Sequence, residues 1–243
     1  RTLKKQGVEF RLNTRVTGLR RLGNKAMIQY SSGGESSEVD CDCLLVAVGR
    51  RPLLAGLGVA ELGIACDQTG RVQVDADYKT SVAGIYAIGD LIPGPMLAHK
   101  ASEEAVVCIE RMHGKTPAVE YDYLPGVVYT WPEGASVGKT EEQLREAAVP
   151  YKSGKFNFMG NGRARAMDET EGFVKVLAHA ESDRLLGIHI IGPRASDLIA
   201  EAVTAMRLSG AARSLGAQIH AHPTLSEALK EAALGIHKEA IHA

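Results

Sequence analysis

Apolar and polar positions along this chain fall into two series of short runs separated by one long helical stripe. In the first series, residues 8–12 alternate as a half-buried strand does. Residues 16–22 and 26–30 are two further strand candidates, and Ser31-Ser32-Gly33-Gly34 supplies a turn that would pair 26–30 with 38–40 as a hairpin. Residues 43–48 are continuously apolar, the pattern of a strand covered on both faces, and stop at Gly49-Arg50-Arg51-Pro52. Residues 53–80 look irregular, with a short strand near 72–74. Residues 84–90 form a second buried-strand pattern that ends on Gly89-Asp90. A helix is predicted over 97–112, with Leu97, Ala101, Ala105, Ile109 and Met112 along one side.

The second series starts after a linker-like stretch at 117–125. Strands are predicted at 127–129, 135–138, 155–159, 163–167, 173–178 and 185–191, the last two joined through Glu181-Ser182-Asp183-Arg184. Thr140-Glu141-Glu142-Gln143 reads as a capping box that opens a helix to residue 148. Helices follow at 196–208, 214–219 and 226–233, the last with Thr224 as its N-cap. The opening segment, basic and closed by Gly7, reads as the end of a helix, so that the chain resembles the second part of a longer polypeptide.

Composition narrows the class. Of 243 residues 45% are hydrophobic and 23% charged, as in a globular protein. A formal charge of −1 argues against a nucleic-acid footprint, and no apolar run reaches the length of a membrane span. Cys41, Cys43, Cys66 and Cys108 form neither a CxxC nor a disulfide ladder, and are read as reduced thiols of a cytoplasmic protein. The chain has no GxGxxG fingerprint and no CxxxxC.

The densest chemistry lies at His220-Ala221-His222-Pro223-Thr224-Leu225-Ser226-Glu227. A carboxylate that bonds one imidazole nitrogen fixes the tautomer and leaves the other free as a base. His222 and Glu227 form such a candidate pair. Thr224-x-x-Glu227 is equally a capping box, in which Glu227 returns to the Thr224 N–H. A carboxylate has two oxygens, so both readings stand together. His220 is expected to be an ordinary polar residue, and His99 and Lys100 solvated or capping groups. At the other end of the chain, Asp90 closes a strand beside a glycine, a placement suited to sugar or ribityl hydroxyls, with a turn cap as the plainer alternative.

Five motifs in this order resemble the rear half of the pyridine nucleotide-disulfide oxidoreductase family: Val48-Gly49-Arg50-Arg51-Pro52, Tyr86-Ala87-Ile88-Gly89-Asp90, Met96-Leu97-Ala98-His99-Lys100-Ala101, Tyr129-Thr130-Trp131-Pro132-Glu133 with Val137-Gly138-Lys139-Thr140-Glu141, and His220 to Glu227. Within the family, the Met96–His99 and His220–Leu225 stretches are most similar to the branch that oxidises dihydrolipoyl groups; glutathione and mercuric reductases are weaker matches. The resemblance implies an α/β tail of FAD- and NAD-binding Rossmann-like domains plus an α+β dimerisation domain. It divides the chain into 1–52 (NAD domain), 53–120 (second FAD segment) and 121–243 (dimer interface).

The roles it implies are residue-specific. Gly49 and Val16 would line the NAD site, and Asp90, Met96, Leu97, Ala98 and His99 the FAD site. His222 would be the base for a dihydrolipoyl thiol, oriented by Glu227, acting in a homodimer that serves the lipoyl-bearing subunit of a 2-oxo acid dehydrogenase complex. Trp131 departs from the smaller polar residue usual there. The family's redox disulfide and glycine fingerprints have no counterpart in the chain, so the chain alone is expected to lack turnover and to hold FAD weakly or not at all. A dimerisation module without ligand is the alternative.

Overall fold

The computed structural model describes residues 1–242. They divide into two compact units, one running to Val119 and one from Glu120 onward.

The first unit follows a one-turn helix, α1 (Thr2–Lys5), which Gly7 ends at φ +91°. Three strands, β1 (Thr14–Leu22), β2 (Lys25–Ser32) and β3 (Glu35–Cys41), make an antiparallel meander in the order β1-β2-β3. The hairpin expected around Gly33-Gly34 is present: Met27, Ile28 and Gln29 face Asp40, Val39 and Glu38. Both turn glycines have positive φ, +60° and +90°, which a two-residue hairpin loop requires and which side chains with a Cβ resist. Cross-strand ion pairs, Lys25 to Asp40 at 2.5 Å and Arg20 to Glu38 at 2.9 Å, sit on this exposed ribbon.

Four strand expectations for this unit fail. Residues 8–12 form no strand, because no partner strand lies beside them among the described residues. The apolar run 43–48 joins no ladder either, and Leu45, Val46 and Val48 are 84%, 70% and 91% exposed. A strand buried on both faces needs neighbours on each side to take its hydrogen bonds and cover its side chains. Residues 84–90 make one isolated bridge, Tyr86 with Lys79, and then a 3₁₀ turn over Gly89–Leu91. The short strand near 72–74 is likewise a single bridge, Val72 with Cys66.

Helix α2 (Ala98–Met112) appears where the periodicity placed it, yet turns a different side inward. Lys100, Glu104, Val107 and Cys108 are buried, whereas Ile109 and Met112 are exposed. Val107 and Cys108 join Val72, Tyr78, Ala87 and Ile92 in a small core. Lys100 is therefore no solvated group. Its Nζ lies 2.9 Å from Glu104, one helical turn on, so the two charges neutralise each other inside. Glu104 also accepts the Gly89 N–H at 2.7 Å, and Lys100 donates to the Gly89 carbonyl at 3.1 Å.

The second unit is a five-stranded antiparallel sheet, β4 (Gly126–Val128), β5 (Glu133–Gly138), β6 (Tyr151–Asn157), β7 (Phe173–His179) and β8 (Leu185–Gly192), in the order β4-β5-β8-β7-β6. The β7–β8 hairpin matches the sequence reading. Helix α3 (Glu141–Glu146) carries the expected capping box between Thr140 and Gln143. Residues 163–167, expected as a strand, form helix α4 (Gly162–Ala166) instead. The Asn161 side chain accepts the Ala164 N–H at 2.9 Å and so starts a helix that alternation could not reveal. Helices α5 (Ala195–Arg207), α6 (Ala212–Ala217) and α7 (Glu227–Gly235) complete the unit. Its core runs from Val174, Val176, Ile188 and Ile190 of the sheet to Ile199, Ala202, Leu229 and Ala233 of the helices.

Candidate functional site

The His-Pro segment leads directly into α7, whose buried residues Ala228, Leu229, Ala232 and Ala233 hold it in the core. Ser226 is the N-cap and makes no side-chain cap bond, so Thr224 does not cap the helix as expected. The Thr224 hydroxyl donates back to the Ala221 carbonyl at 2.8 Å. Glu227, the first helical residue, divides its carboxylate: Oε2 accepts the Thr224 N–H at 2.8 Å, and Oε1 meets His222 Nδ1 at 2.9 Å. One side chain thus makes both the return bond of a capping box and the bond to the imidazole.

The electrostatics assign the proton. Partial burial of Glu227 pushes its carboxyl up, but the Thr224 N–H and His222 outweigh this and hold it below the ordinary carboxylate range. Glu227 is therefore an ionised acceptor at neutral pH, and Nδ1 carries the hydrogen. When the ring is neutral, Nε2 keeps its lone pair. The His222 side chain is 74% exposed and Glu227 22%, so the imidazole faces outward while the carboxylate it contacts is sheltered. His222 precedes a cis peptide bond to Pro223.

His220, expected to be an ordinary polar residue, is instead sheltered and paired, and Asn161 carries no signal in the sequence. His220 is almost buried and holds Glu201 of α5 through Nε2 at 2.7 Å. Asn161 is buried and donates to the Thr224 carbonyl at 2.9 Å. The periodicity of the sequence carries no signal for either, because both partners are distant along the chain.

In the first unit, Asp90 lies in the 3₁₀ turn and pairs with Arg50 at 3.0 Å; the same guanidinium donates to the Met96 carbonyl. Leu97 is the N-cap of α2 and makes no side-chain cap bond, its own N–H donating to the Pro95 carbonyl at 3.1 Å, and the positive end of the helix dipole lies at the first turn from Ala98. Gly89, at φ +70°, comes so near that an added Cβ would lie 3.0 Å from the Ala101 Cβ. A helix N-terminus beside a carboxylate, on a turn pinned by Lys100 and Glu104, suits a ligand with both negative charge and hydroxyls. Val16 stands exposed in β1 beside a register shift, and Gly49 is exposed at φ +114°.

Two family models match: residues 1–105 match that of the pyridine nucleotide-disulphide oxidoreductases, and residues 124–233 match their dimerisation domain. The chain belongs to the pyridine nucleotide-disulphide oxidoreductase family. It is 48% identical over its whole length to a mitochondrial dihydrolipoyl dehydrogenase of Pisum sativum and 46% identical over 96% of its length to that of Homo sapiens. A leghemoglobin reductase of Glycine max is 49% identical over 96% of the chain. The chain spans about half the length of these curated relatives, 49%, 47% and 45% respectively. Among solved structures, LpdA from Mycobacterium tuberculosis superposes with a TM-score of 0.87 at 25% identity, covering 96% of this chain and 50% of that one. The HOCl-induced flavoprotein disulfide reductase RclA from Escherichia coli does so at 0.87 and 27%, covering 96% and 53%.

Proposed function

We propose that this chain is the C-terminal part of a dihydrolipoyl dehydrogenase, whose parent protein oxidises dihydrolipoamide and reduces NAD⁺ by way of a redox disulfide and FAD. The observation that carries this reading is the 2.9 Å contact of His222 Nδ1 with an ionised Glu227. It presents Nε2 as a base, ready to take the proton of a dihydrolipoyl thiol and release the thiolate. Glu227 keeps the tautomer and balances the imidazolium that results.

Asp90 would hold FAD, with the amides from Met96 to His99 at the helix start, and Gly49 and Val16 would face NAD. FAD, when bound, supplies the two-electron relay between dithiol and nicotinamide. The residues present fit it through the positive end of the α2 dipole and the neighbouring carboxylate. In the parent, 1–52 would belong to the NAD domain, 53–120 to the FAD region and 121–243 to a homodimer interface, so that His222 works opposite the partner's thiols. The lipoyl-bearing subunit of a 2-oxo acid dehydrogenase complex is the proposed partner. Four free cysteines support a reducing, cytoplasmic setting. Among the described residues no helix is long and apolar enough to cross a membrane.

Replacing His222 with Gln in the full-length protein tests the mechanism: dithiol oxidation is expected to fall by about 10²–10⁴-fold. Unchanged dithiol oxidation would remove His222 from the chemistry. The dimerisation-module alternative draws on the self-contained second unit. It is favoured if the chain sediments as a dimer and takes up no flavin.

A further inference from the structure

We infer that Asn161 is a positioning residue for the His222–Glu227 pair, an assignment that rests on the reading of His222 as a base. Asn161 is 3% exposed and uses all of its polar groups. Its Oδ1 accepts the Ala164 N–H at 2.9 Å and caps α4; its Nδ2 donates to the Thr224 carbonyl at 2.9 Å. Its backbone N–H donates to the Phe158 carbonyl at 2.9 Å, and its carbonyl accepts the Arg165 N–H at 3.1 Å.

Thr224 is the link. Its N–H holds Glu227 Oε2, its hydroxyl holds the Ala221 carbonyl, and its own carbonyl is held by Asn161. The short segment between the imidazole and the carboxylate is therefore tied at three points through Thr224, and of these three bonds the Asn161 bond is the one that reaches outside residues 221–227. The same loop brings Gly162 under the ring: a Cβ built there would stand 4.0 Å from His222 Cε1. An imidazole that is 74% exposed has little packing to fix it, so its geometry depends on these bonds. A buried amide with both ends engaged orders the loop without adding charge near the base.

Asn161→Ser separates positioning from capping. Serine is a good N-cap but too short to reach Thr224. The readout is a long-range ¹H–¹⁵N spectrum of the 243-residue chain, which reports which nitrogen of each ring bears the proton. In the unsubstituted chain His222 is expected to hold its proton on Nδ1. In N161S the two tautomers should mix, and the Nδ1 proton should exchange with water about three- to tenfold faster, the size of one lost neutral hydrogen bond. If N161S fails to fold, Asn161→Asp keeps the cap acceptor, loses the donor to Thr224 and should mix the tautomers in the same way. A spectrum and exchange rate unchanged in the folded variant, with only the melting temperature lowered, would make Asn161 a structural cap and overturn the assignment. Failure of the base reading would show separately, as undiminished dithiol oxidation in H222Q.

Discussion

Gly154 of β6 lies against the backbone of Ala232 in α7 so closely that a Cβ on the glycine would stand 2.1 Å from the Ala232 carbonyl oxygen and 2.6 Å from the Ile236 nitrogen. Both neighbours are main chain and cannot swing aside. Gly154→Ala must therefore move the helix that presents Glu227 away from the sheet. The expected result is a loss of about 2–4 kcal/mol from the second unit, measured by urea denaturation, with a weakened His222–Glu227 bond even where the variant folds.

The carboxylate of Glu231 gathers the end of the described chain: it accepts the Ile241 N–H at 2.7 Å, the His242 N–H at 3.2 Å and His242 Nδ1 at 2.9 Å. Burial pushes Glu231 up, but these bonds outweigh it and leave its carboxyl below the ordinary range. Since the folded value is depressed, the stabilisation is present above the unfolded carboxylate value and is lost as pH falls through the folded one. Thermal melts between pH 6 and pH 3 should show a steep fall at the acid end. Glu231→Gln should be less stable at neutral pH by about 1–3 kcal/mol and should flatten that fall. An identical acid profile for both proteins would contradict the assignment.

Lys100 and Glu104 form a buried pair in α2. Lys100→Met removes the ammonium beside a desolvated carboxylate and is expected to cost the first unit about 3–5 kcal/mol. Adding Glu104→Gln should recover part of this, because the amide removes the charge and keeps an acceptor for the Gly89 N–H. Denaturation curves of the single and double variants check the order.

Thiol accessibility gives a simpler test. Cys43 and Cys66 are exposed, whereas Cys108 is buried and burial pushes its thiol up. Under native conditions iodoacetamide should modify Cys43 and Cys66 well before Cys108, which should react only after denaturant is added. Mass mapping of the labelled peptides reads the order directly.

Where local chemistry decides a structure, the chain could be read directly. The Gly33-Gly34 hairpin, the Thr140–Gln143 capping box and the β7–β8 hairpin each depend on residues only a few positions apart. His222 and Glu227 belong to the same group: five residues and one proline bring them together, and the sequence already showed that one carboxylate could serve both bonds.

What the sequence alone determined was the kind of local unit and the presence of a His–carboxylate pair, because those follow from propensity, turn chemistry and short spacing. Only the tertiary structure decided which side of α2 is inside, since the alkyl stems and opposed charges of Lys100 and Glu104 become favourable in the interior only once Gly89 is there to meet them. It also decided that 163–167 coils into a helix and that the apolar run 43–48 stays outside any sheet, for the one depends on a cap bond and the other on neighbouring strands. The bond from Asn161 to Thr224 spans 63 positions, and no pattern of apolar and polar residues records a contact that folding alone creates.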